Sequence, residues 1–204
     1  MERPHDYETL ITLDISNKEL TDLPSWVSEC KNLKILNCSF NKITLLNNLP
    51  QTLKKLYCFY NQITQLDNLP QTLKRLDCYC NKIIEINNLP PTLEILFCSS
   101  NNITQLDNLP PTLKQLYCYF NKITQLNNLA LTLEILDFSD NKIMDLDNLL
   151  TKLELLICNN NKITYLDNLP KSLETLKCYN NPLQYEFEPT IENIKNYNNQ
   201  NKSK

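Results

Sequence analysis

The chain has 204 residues, a formal net charge of -3 and a 42% share of hydrophobic residues. This length favours one domain. The interspersed charges argue against nucleic-acid binding, which needs a basic face. No stretch approaches the roughly 18 apolar residues of a membrane span, and the opening MERPHDYETL lacks the apolar core of a signal peptide. We therefore expect a soluble, intracellular protein that contacts neither nucleic acid nor membrane.

The chain is organised by a pattern that recurs every 20 residues from Leu33, LxxLxCxxNxIxxLxNLPxT. Positions are numbered here from one, at Leu33, to twenty. Leu fills positions one and four in every copy, and positions four and six alternate with an outward position five, as in a short strand. A unit of this size cannot bury its apolar face alone, so the copies must stack into a solenoid.

The pattern resembles the leucine-rich repeats of the short, 20-residue class, similar to repeats of bacterial effectors and large DNA viruses. The resemblance spans roughly residues 8–185. It implies an α/β solenoid: a right-handed horseshoe of about nine coils, with short parallel strands on the concave face. The convex face is then mostly irregular or turn-rich, and caps close both ends. For a viral or effector protein, the resemblance also implies a location in the host cytoplasm.

In chain order, residues 1–32 are predicted to form an N-terminal cap and a first repeat of 23 residues, with a short convex helix around Trp26 and Val27. Residues 33–182 hold the 20-residue repeats. Residues 183–199 read as a C-terminal cap, because an alternating apolar segment is followed by Pro189, which can open a short helix. Residues 200–204 are expected to be a disordered tail.

The columns of Cys and Asn residues in the repeat could suggest a reactive or metal-binding site, but their positions suit a structural role. Seven cysteines occupy the inward position six: Cys38, Cys58, Cys78, Cys98, Cys118, Cys158 and Cys178. Parallel Cβ vectors about 4.8 Å apart do not suit a disulfide, so we expect a reduced core ladder. A metal or redox role is the open alternative, although His5 is the sole histidine. The Asn residues at positions nine and sixteen are expected to bond turn backbone.

Function is sought where the repeat varies, on the exposed positions of the predicted concave face. Ten of the 16 Phe and Tyr residues fall at positions five, seven and eight. Exposed aromatic side chains are typical anchors of protein interfaces. The candidate partner-binding residues, which include two Asp residues suited to a basic group, are Phe40, Tyr57, Phe59, Tyr60, Asp77, Tyr79, Phe97, Tyr117, Tyr119, Phe120 and Asp137. Mere stacking of aromatic rings down the columns is the alternative.

Position two carries a charge gradient along the repeats. Its occupants are Lys34, Lys54, Lys74, Glu94, Lys114, Glu134, Glu154 and Glu174. The basic residues lie toward the N-terminal half and the acidic ones toward the C-terminal half. Such a gradient can steer a partner, and exposed charges of this kind also arise without any binding role, so both readings stay open.

Catalysis finds little support in the sequence. A chain with no Gly has no Gly-rich phosphate loop, and His5 alone gives no nucleophile–base system. We expect a non-catalytic module without a cofactor that binds a protein partner, a host protein among the candidates, through an aromatic-rich concave sheet. A structural or self-assembling repeat protein is the alternative. The sequence names neither the partner nor the oligomeric state.

Overall fold

A computed structural model describes residues 2–127, 129–146, 152–166 and 169–201. Each repeat contributes one three-residue strand at positions three to five. The strands are β1 Thr12–Asp14, β2 Ile35–Asn37, β3 Lys55–Tyr57, β4 Arg75–Asp77, β5 Ile95–Phe97, β6 Gln115–Tyr117, β7 Ile135–Asp137, β8 Leu155–Ile157 and β9 Thr175–Lys177. They form one parallel sheet in the order of the sequence, with no crossover. The predicted leucine-rich-repeat architecture is confirmed.

The register of the sheet follows from the repeat length. Position four pairs with position four across each strand pair, as in Leu36 with Leu56 and Leu76 with Leu96. Because side chains alternate along a strand, positions three and five point away from the core together in all nine coils. The sheet therefore presents one continuous outer face, the predicted concave face, which is called the sheet face below.

The core is a stack of identical apolar layers. In the coil of Leu93, the side chains of Leu96, Cys98 and Ile103 are fully buried together with Leu93 itself. Phe138 takes the place of Cys at position six in one coil and is also fully buried. The predicted inward positions are confirmed by this burial. Every coil contributes the same apolar cross-section, so each coil is stabilised mainly by its two neighbours.

The Asn column at position nine holds the coils together, as expected. The amide nitrogen of Asn101 donates to the backbone oxygens of Cys78 at 3.1 Å and of Cys98 at 3.0 Å. Its amide oxygen accepts from the backbone N–H of Ile83 at 3.0 Å. One side chain thus bonds the backbone of two successive coils. The same pattern recurs at Asn61, Asn81, Asn121, Asn141, Asn161 and Asn181.

A threonine column at position twenty, which the sequence analysis had not assigned a role, bonds neighbouring coils on the other side. The Thr72 hydroxyl donates to the backbone oxygen of Leu53 at 2.7 Å, and that of Thr92 donates to Leu73 at 2.9 Å. Ser172 makes the equivalent bond to Leu153. A hydroxyl suffices at this position, which explains why Ser can replace Thr there.

Left-handed backbone recurs at position eight in every coil, with φ between 51° and 56° from Asn17 to Asn180. At position sixteen, Asn48, Asn68, Asn88 and Asn108 have φ from 56° to 61°; the Asn residues at 128, 148 and 168 lie outside the described residues. Asn adopts this region readily, whereas bulky side chains do so at a cost. In a chain without Gly, the second turn of the coil is served by Asn.

Both ends of the solenoid are covered. Near the first coil, a 3-10 helix, Ser25–Glu29, buries Trp26 and Val27, as the spacing predicted. At the other end α1, Ile191–Asn201, follows Pro189 and fully buries Ile194. Of the predicted tail at 200–204, residues 200 and 201 belong to α1, and 202–204 lie outside the described residues.

The C-terminal cap is tied to the last coils by one aromatic side chain and one amide. The ring of Tyr185 stacks on Phe187 at 4.9 Å and meets Tyr197 edge to face at 5.4 Å. The backbone N–H of Leu166 donates to the Tyr185 hydroxyl at 2.7 Å, and Asn198 donates to the Leu166 carbonyl oxygen at 3.0 Å. The cap thus satisfies backbone groups that a further coil would otherwise bond.

The layered core predicts a local cavity cost. Replacing Leu96, which is fully buried, by Ala should lower the free energy of unfolding by about 2 to 5 kcal/mol, because the rigid coils on either side cannot close the gap. Chemical denaturation measures this directly. Ile84→Ala, at a side chain that is 54% exposed, is the control and should change stability by less than about 0.5 kcal/mol. Equal losses in the two variants would contradict the layered core.

Candidate functional site

The sheet face carries a compact group of aromatic rings, here called the N-terminal aromatic cluster: Phe40, Phe59, Tyr60 and Tyr79. Phe40 stacks on Tyr60 with centroids 4.8 Å apart, and Phe59 stacks on Tyr79 at 4.5 Å. The two stacks meet edge to face, at 5.3 Å between Phe40 and Phe59 and 5.7 Å between Tyr60 and Tyr79. Three coils thus build one continuous aromatic surface.

Position eight places the outermost rings of this surface. Phe40 and Tyr60 are 47% and 48% exposed, and Phe120 is 57% exposed. All three have left-handed φ angles. A bulky residue pays a conformational cost there that Asn would avoid, so the exposed rings are held at positions that local backbone preference does not favour.

Three rings at position five and one arginine at position three form a second feature, here called the arginine–aromatic row: Tyr57, Arg75, Phe97 and Tyr117. Phe97 and Tyr117 stack with centroids 4.3 Å apart and an interplanar angle of 3°. The Arg75 guanidinium carbon lies 4.8 Å from the Phe97 ring centre and 5.7 Å from that of Tyr57. Arg75 therefore bridges the gap that Asp77 leaves in the aromatic column, through contacts of the cation–π kind.

The expectation that Asp77 offers an exposed charge is wrong. Its side chain is buried, and the Arg75 Nε and Nη2 atoms donate to its two carboxylate oxygens at 2.9 Å each. Burial raises the pKa of Asp77, and the paired guanidinium opposes that rise. A bidentate pair of this kind fixes the plane of the guanidinium. Asp77 thus orients Arg75 against the rings, while its own charge is balanced inside the chain.

Asp137 also has partners within its own strand end. Its Oδ1 accepts from the backbone N–H of Ser139 at 3.0 Å and from the Ser139 hydroxyl at 2.7 Å. In the coil of Phe97, position five holds a ring instead of a carboxylate that could accept a hydrogen bond. The buried hydroxyl of Ser99 in that coil has no hydrogen-bond partner among the described residues. Position seven is thus not uniformly exposed as predicted. The buried residues there are Ser39, Ser99, Ser139 and Asn159, whereas Phe59, Tyr79 and Tyr119 are half-buried and Tyr179 is exposed.

The remaining pair, Tyr119 and Phe120, meets edge to face at 5.8 Å. Burial chiefly raises the pKa of Tyr79, and the neighbouring Tyr60 adds to the rise. Towards the C-terminal coils column eight becomes polar. Asn160 donates to Asp140 at 2.9 Å, and Asn180 donates to Asn160 at 2.7 Å. The sheet face therefore changes from aromatic to polar along the solenoid.

Arg75 is the residue of this surface that sequence reasoning missed. Position three holds mostly aliphatic or small polar residues, and Arg75 is the sole arginine in that column. The signal was present in the pair Arg75 and Asp77, since residues two apart on a strand share one face.

The thiol column behaves as the predicted core ladder. All nine cysteines are free, and eight of them are buried. Burial raises the pKa of the Cys38 thiol to about 12 and holds those of Cys58 and Cys78 well above their usual range. Cys80, at position eight, is partly exposed, and its hydrogen bond to the phenol raises the pKa of Tyr60.

No group of three or more His, Cys, Asp or Glu side chains in the described ranges is arranged to hold a metal ion. Every helix in the same ranges is too short or too polar to cross a bilayer.

Two family models, each of a repeat, match parts of the chain. A model of leucine-rich repeats in two copies matches residues 8–51, and a model of the FNIP repeat matches residues 60–100. No curated protein matches the sequence.

Solved structures of bacterial proteins share the fold. YopM from Yersinia enterocolitica is 34% identical with a TM-score of 0.81, over 87% of this chain and 39% of that chain. YopM from Yersinia pestis, a leucine-rich effector protein, is 31% identical with a TM-score of 0.78, over 84% and 48%. The functional domain of InlJ from Listeria monocytogenes, which includes a cysteine ladder, is 29% identical with a TM-score of 0.71, over 87% and 46%. The chain spans less than half the length of these three relatives.

The contrast between Cys80 and the other thiols can be tested by labelling. A thiol-specific reagent at neutral pH should modify about one equivalent rapidly in the folded protein, because reactivity needs both access and thiolate. Cys80→Ser should remove that equivalent, and Cys98→Ser, at a buried thiol, should not. Rapid labelling of several thiols in the folded chain would contradict the ladder.

Proposed function

Because the chain is a leucine-rich-repeat protein, we propose that it is a non-catalytic module that binds a protein partner through its aromatic-rich concave sheet. The fold is typical of protein–protein interaction modules, and proteins built on it are generally scaffolds without enzymatic activity. The observation that carries the proposal is the gathering of rings on five successive coils of the sheet face, from Phe40 to Phe120, in three groups of mutually contacting rings.

A binding role would explain why these aromatic rings are exposed to solvent. The frame of the repeat requires nothing of positions five, seven and eight, and other coils place Ser, Asn or Asp there. Phe40, Tyr60 and Phe120 nevertheless remain about half exposed. Removing apolar area from water is favourable by roughly 25 cal/mol per Å², so a partner that covers three such rings gains several kcal/mol before its ordering costs.

The rings are also held in place before any partner arrives. Each ring of the N-terminal aromatic cluster contacts at least one other ring of that cluster. In the arginine–aromatic row, Asp77 fixes the Arg75 guanidinium by two hydrogen bonds. Side chains that are already ordered lose little entropy on binding, and rigid aromatic and Arg residues are enriched among interface hot spots.

The change along the solenoid indicates how a partner would lie. The coils from Phe40 to Phe120 supply apolar and cation–π surface, whereas the coils with Asp137, Asp140 and Asn160 supply hydrogen-bonding groups. Stable interfaces commonly combine an apolar centre with a polar rim. We therefore place the anchor of the partner on the aromatic coils and its polar contacts on the C-terminal coils.

An intracellular location, the host cytoplasm for a viral or effector protein, belongs to the same proposal. The nine cysteines are unpaired, and seven are stacked on successive or near-successive coils. An unbridged thiol set of this kind suits a reducing compartment.

The exposed rings give the direct test. In the triple variant Phe40→Asn, Tyr60→Asn and Phe120→Asn, each ring is replaced by the residue that this chain itself carries at position eight in Asn17, Asn160 and Asn180. Since Asn tolerates left-handed backbone better than Phe or Tyr, the melting temperature should stay the same or rise. Partner capture from cells that the protein naturally occupies, quantified by mass spectrometry, should fall by at least about tenfold.

The matched control is Tyr179→Asn, which removes a ring that is 61% exposed on the sheet face but belongs to neither aromatic group. It should leave the captured proteins unchanged. If the triple variant kept its fold and captured the same partners in the same amounts, the rings would only stack on one another, and the concave face would not be the binding surface.

A further inference from the structure

The charged residues at position two form one rim of the sheet. Backbone hydrogen bonds connect the residues at position two from coil to coil. The N–H of Lys54 donates to the carbonyl oxygen of Lys34 at 2.8 Å, and the same bond recurs in each coil up to Glu174, which donates to Glu154 at 2.9 Å. The eight residues, here called the position-two rim, are Lys34, Lys54, Lys74, Glu94, Lys114, Glu134, Glu154 and Glu174. Neighbouring coils lie about 4.8 Å apart, so the rim is about 34 Å long.

The order of the signs along this rim is antisymmetric about its centre. Counted outward from the midpoint, Glu94 mirrors Lys114 and Lys74 mirrors Glu134. Further out, Lys54 mirrors Glu154, and at the ends Lys34 mirrors Glu174. Every residue of the rim therefore has a residue of opposite charge at the same distance on the other side.

We propose that the position-two rim binds the same rim of a second copy of this chain, related by a twofold axis between the coils of Glu94 and Lys114. A twofold axis reverses the direction of one rim, so residue i of one copy faces its mirror residue in the other. An antisymmetric rim then meets only opposite charges, and each of the four mirror pairs occurs twice. A rim of uniform charge would meet only like charges across the same axis.

The charges are available for such pairing in the single chain. Glu94 is bonded to Lys74 at 2.8 Å and lies 3.6 Å from Lys114, so the centre of the rim is partly paired internally. The outer members, Lys34, Lys54, Glu134, Glu154 and Glu174, have no ion pair among the described residues. A partner copy related by the proposed axis gives each of these five an opposite charge.

The neighbouring columns are compatible with this contact. Across the axis, Arg75 at position three faces Ile135, and Lys55 faces Leu155, so no like charges oppose each other in that column. On position nineteen, Lys31 faces Lys171 at the outer ends of the rim. This like-charged pair weakens the contact at its two outer ends.

This inference does not rest on the proposed function. The aromatic positions five, seven and eight follow position two along each strand, so they lie away from the rim. A dimer formed at the rim keeps both aromatic surfaces open, and either proposal can fail while the other stands.

Surface ion pairs are individually weak and are screened by salt. The dimer should accordingly be weak at about 0.1 M salt, where the Debye length is about 10 Å, and should dissociate toward 1 M, where it is about 3 Å. Loss of association on adding salt separates this contact from one driven by apolar surface.

A charge-swap experiment tests the pairing itself. Lys54→Glu and Glu154→Lys each place two like-charged contacts in the homodimer, so each variant alone should dimerise at least about tenfold more weakly than the unchanged chain. An equimolar mixture of the two variants restores both contacts, because Glu at 54 in one copy faces Lys at 154 in the other. Sedimentation velocity at low salt should therefore show monomer for each variant and dimer for the mixture.

Lys122→Glu is the matched control: it makes the same charge change at an exposed residue outside the rim and should leave dimerisation unchanged. Circular dichroism melting establishes that every variant is folded. The proposal is overturned if the unchanged chain stays monomeric at low salt and a chain concentration of about 1 mM, the weak end of the affinity scale. It is equally overturned if the mixture of variants shows no more dimer than the separate variants.

Discussion

The structure depends on the amide side chain of Asn at position nine. At the end of each strand the chain turns away from the sheet. The carbonyl oxygens at position six and the N–H groups at position eleven then bond to Asn side chains rather than to the backbone of a neighbouring coil. One Asn supplies a donor to the carbonyl oxygens of two coils and an acceptor for a third backbone group, as Asn101 does for Cys78, Cys98 and Ile83. Unsatisfied buried backbone groups are costly, so this bonding permits the turn to be buried in every coil.

Because the Asn side chains fix the course of the backbone in each coil, the positions of the repeat fall into two sets, inward and outward. Leu, Ile and Cys fill the inward positions, where any change opens a cavity between rigid layers. The outward positions of the sheet and its rim are released from that demand, and they are where the chain varies. The rings from Phe40 to Phe120 and the charges from Lys34 to Glu174 occupy different outward columns, so one solenoid can offer a surface to a partner and another to its own copy.

The repeat frame, the strand positions, the buried columns and the role of Asn could be predicted from the sequence, because each coil must meet the same stacking constraint. The individual outward contacts could not. The burial of Asp77 depends on Arg75 folding back over its carboxylate. The buried Ser139 hydroxyl donates to Asp137, whereas the buried Ser99 hydroxyl has no partner among the described residues. Such contacts differ between coils, so periodicity carries no information about them. The threonine column was visible in the repeat, but its acceptor lies in the preceding coil and became evident only in three dimensions.

Hydrogen exchange in Asn101→Ala tests most directly whether the Asn column couples the coils. The Ile83 amide donates to the Asn101 side chain at 3.0 Å, whereas the Ile123 amide donates to Asn141 at 2.9 Å. In the variant, the protection factor of the Ile83 amide should fall at least about tenfold further than that of the Ile123 amide. The reason is that removing the Asn101 side chain leaves the buried Ile83 amide without a partner. Equal protection of the Ile83 amide in the variant and the unchanged chain would contradict the account.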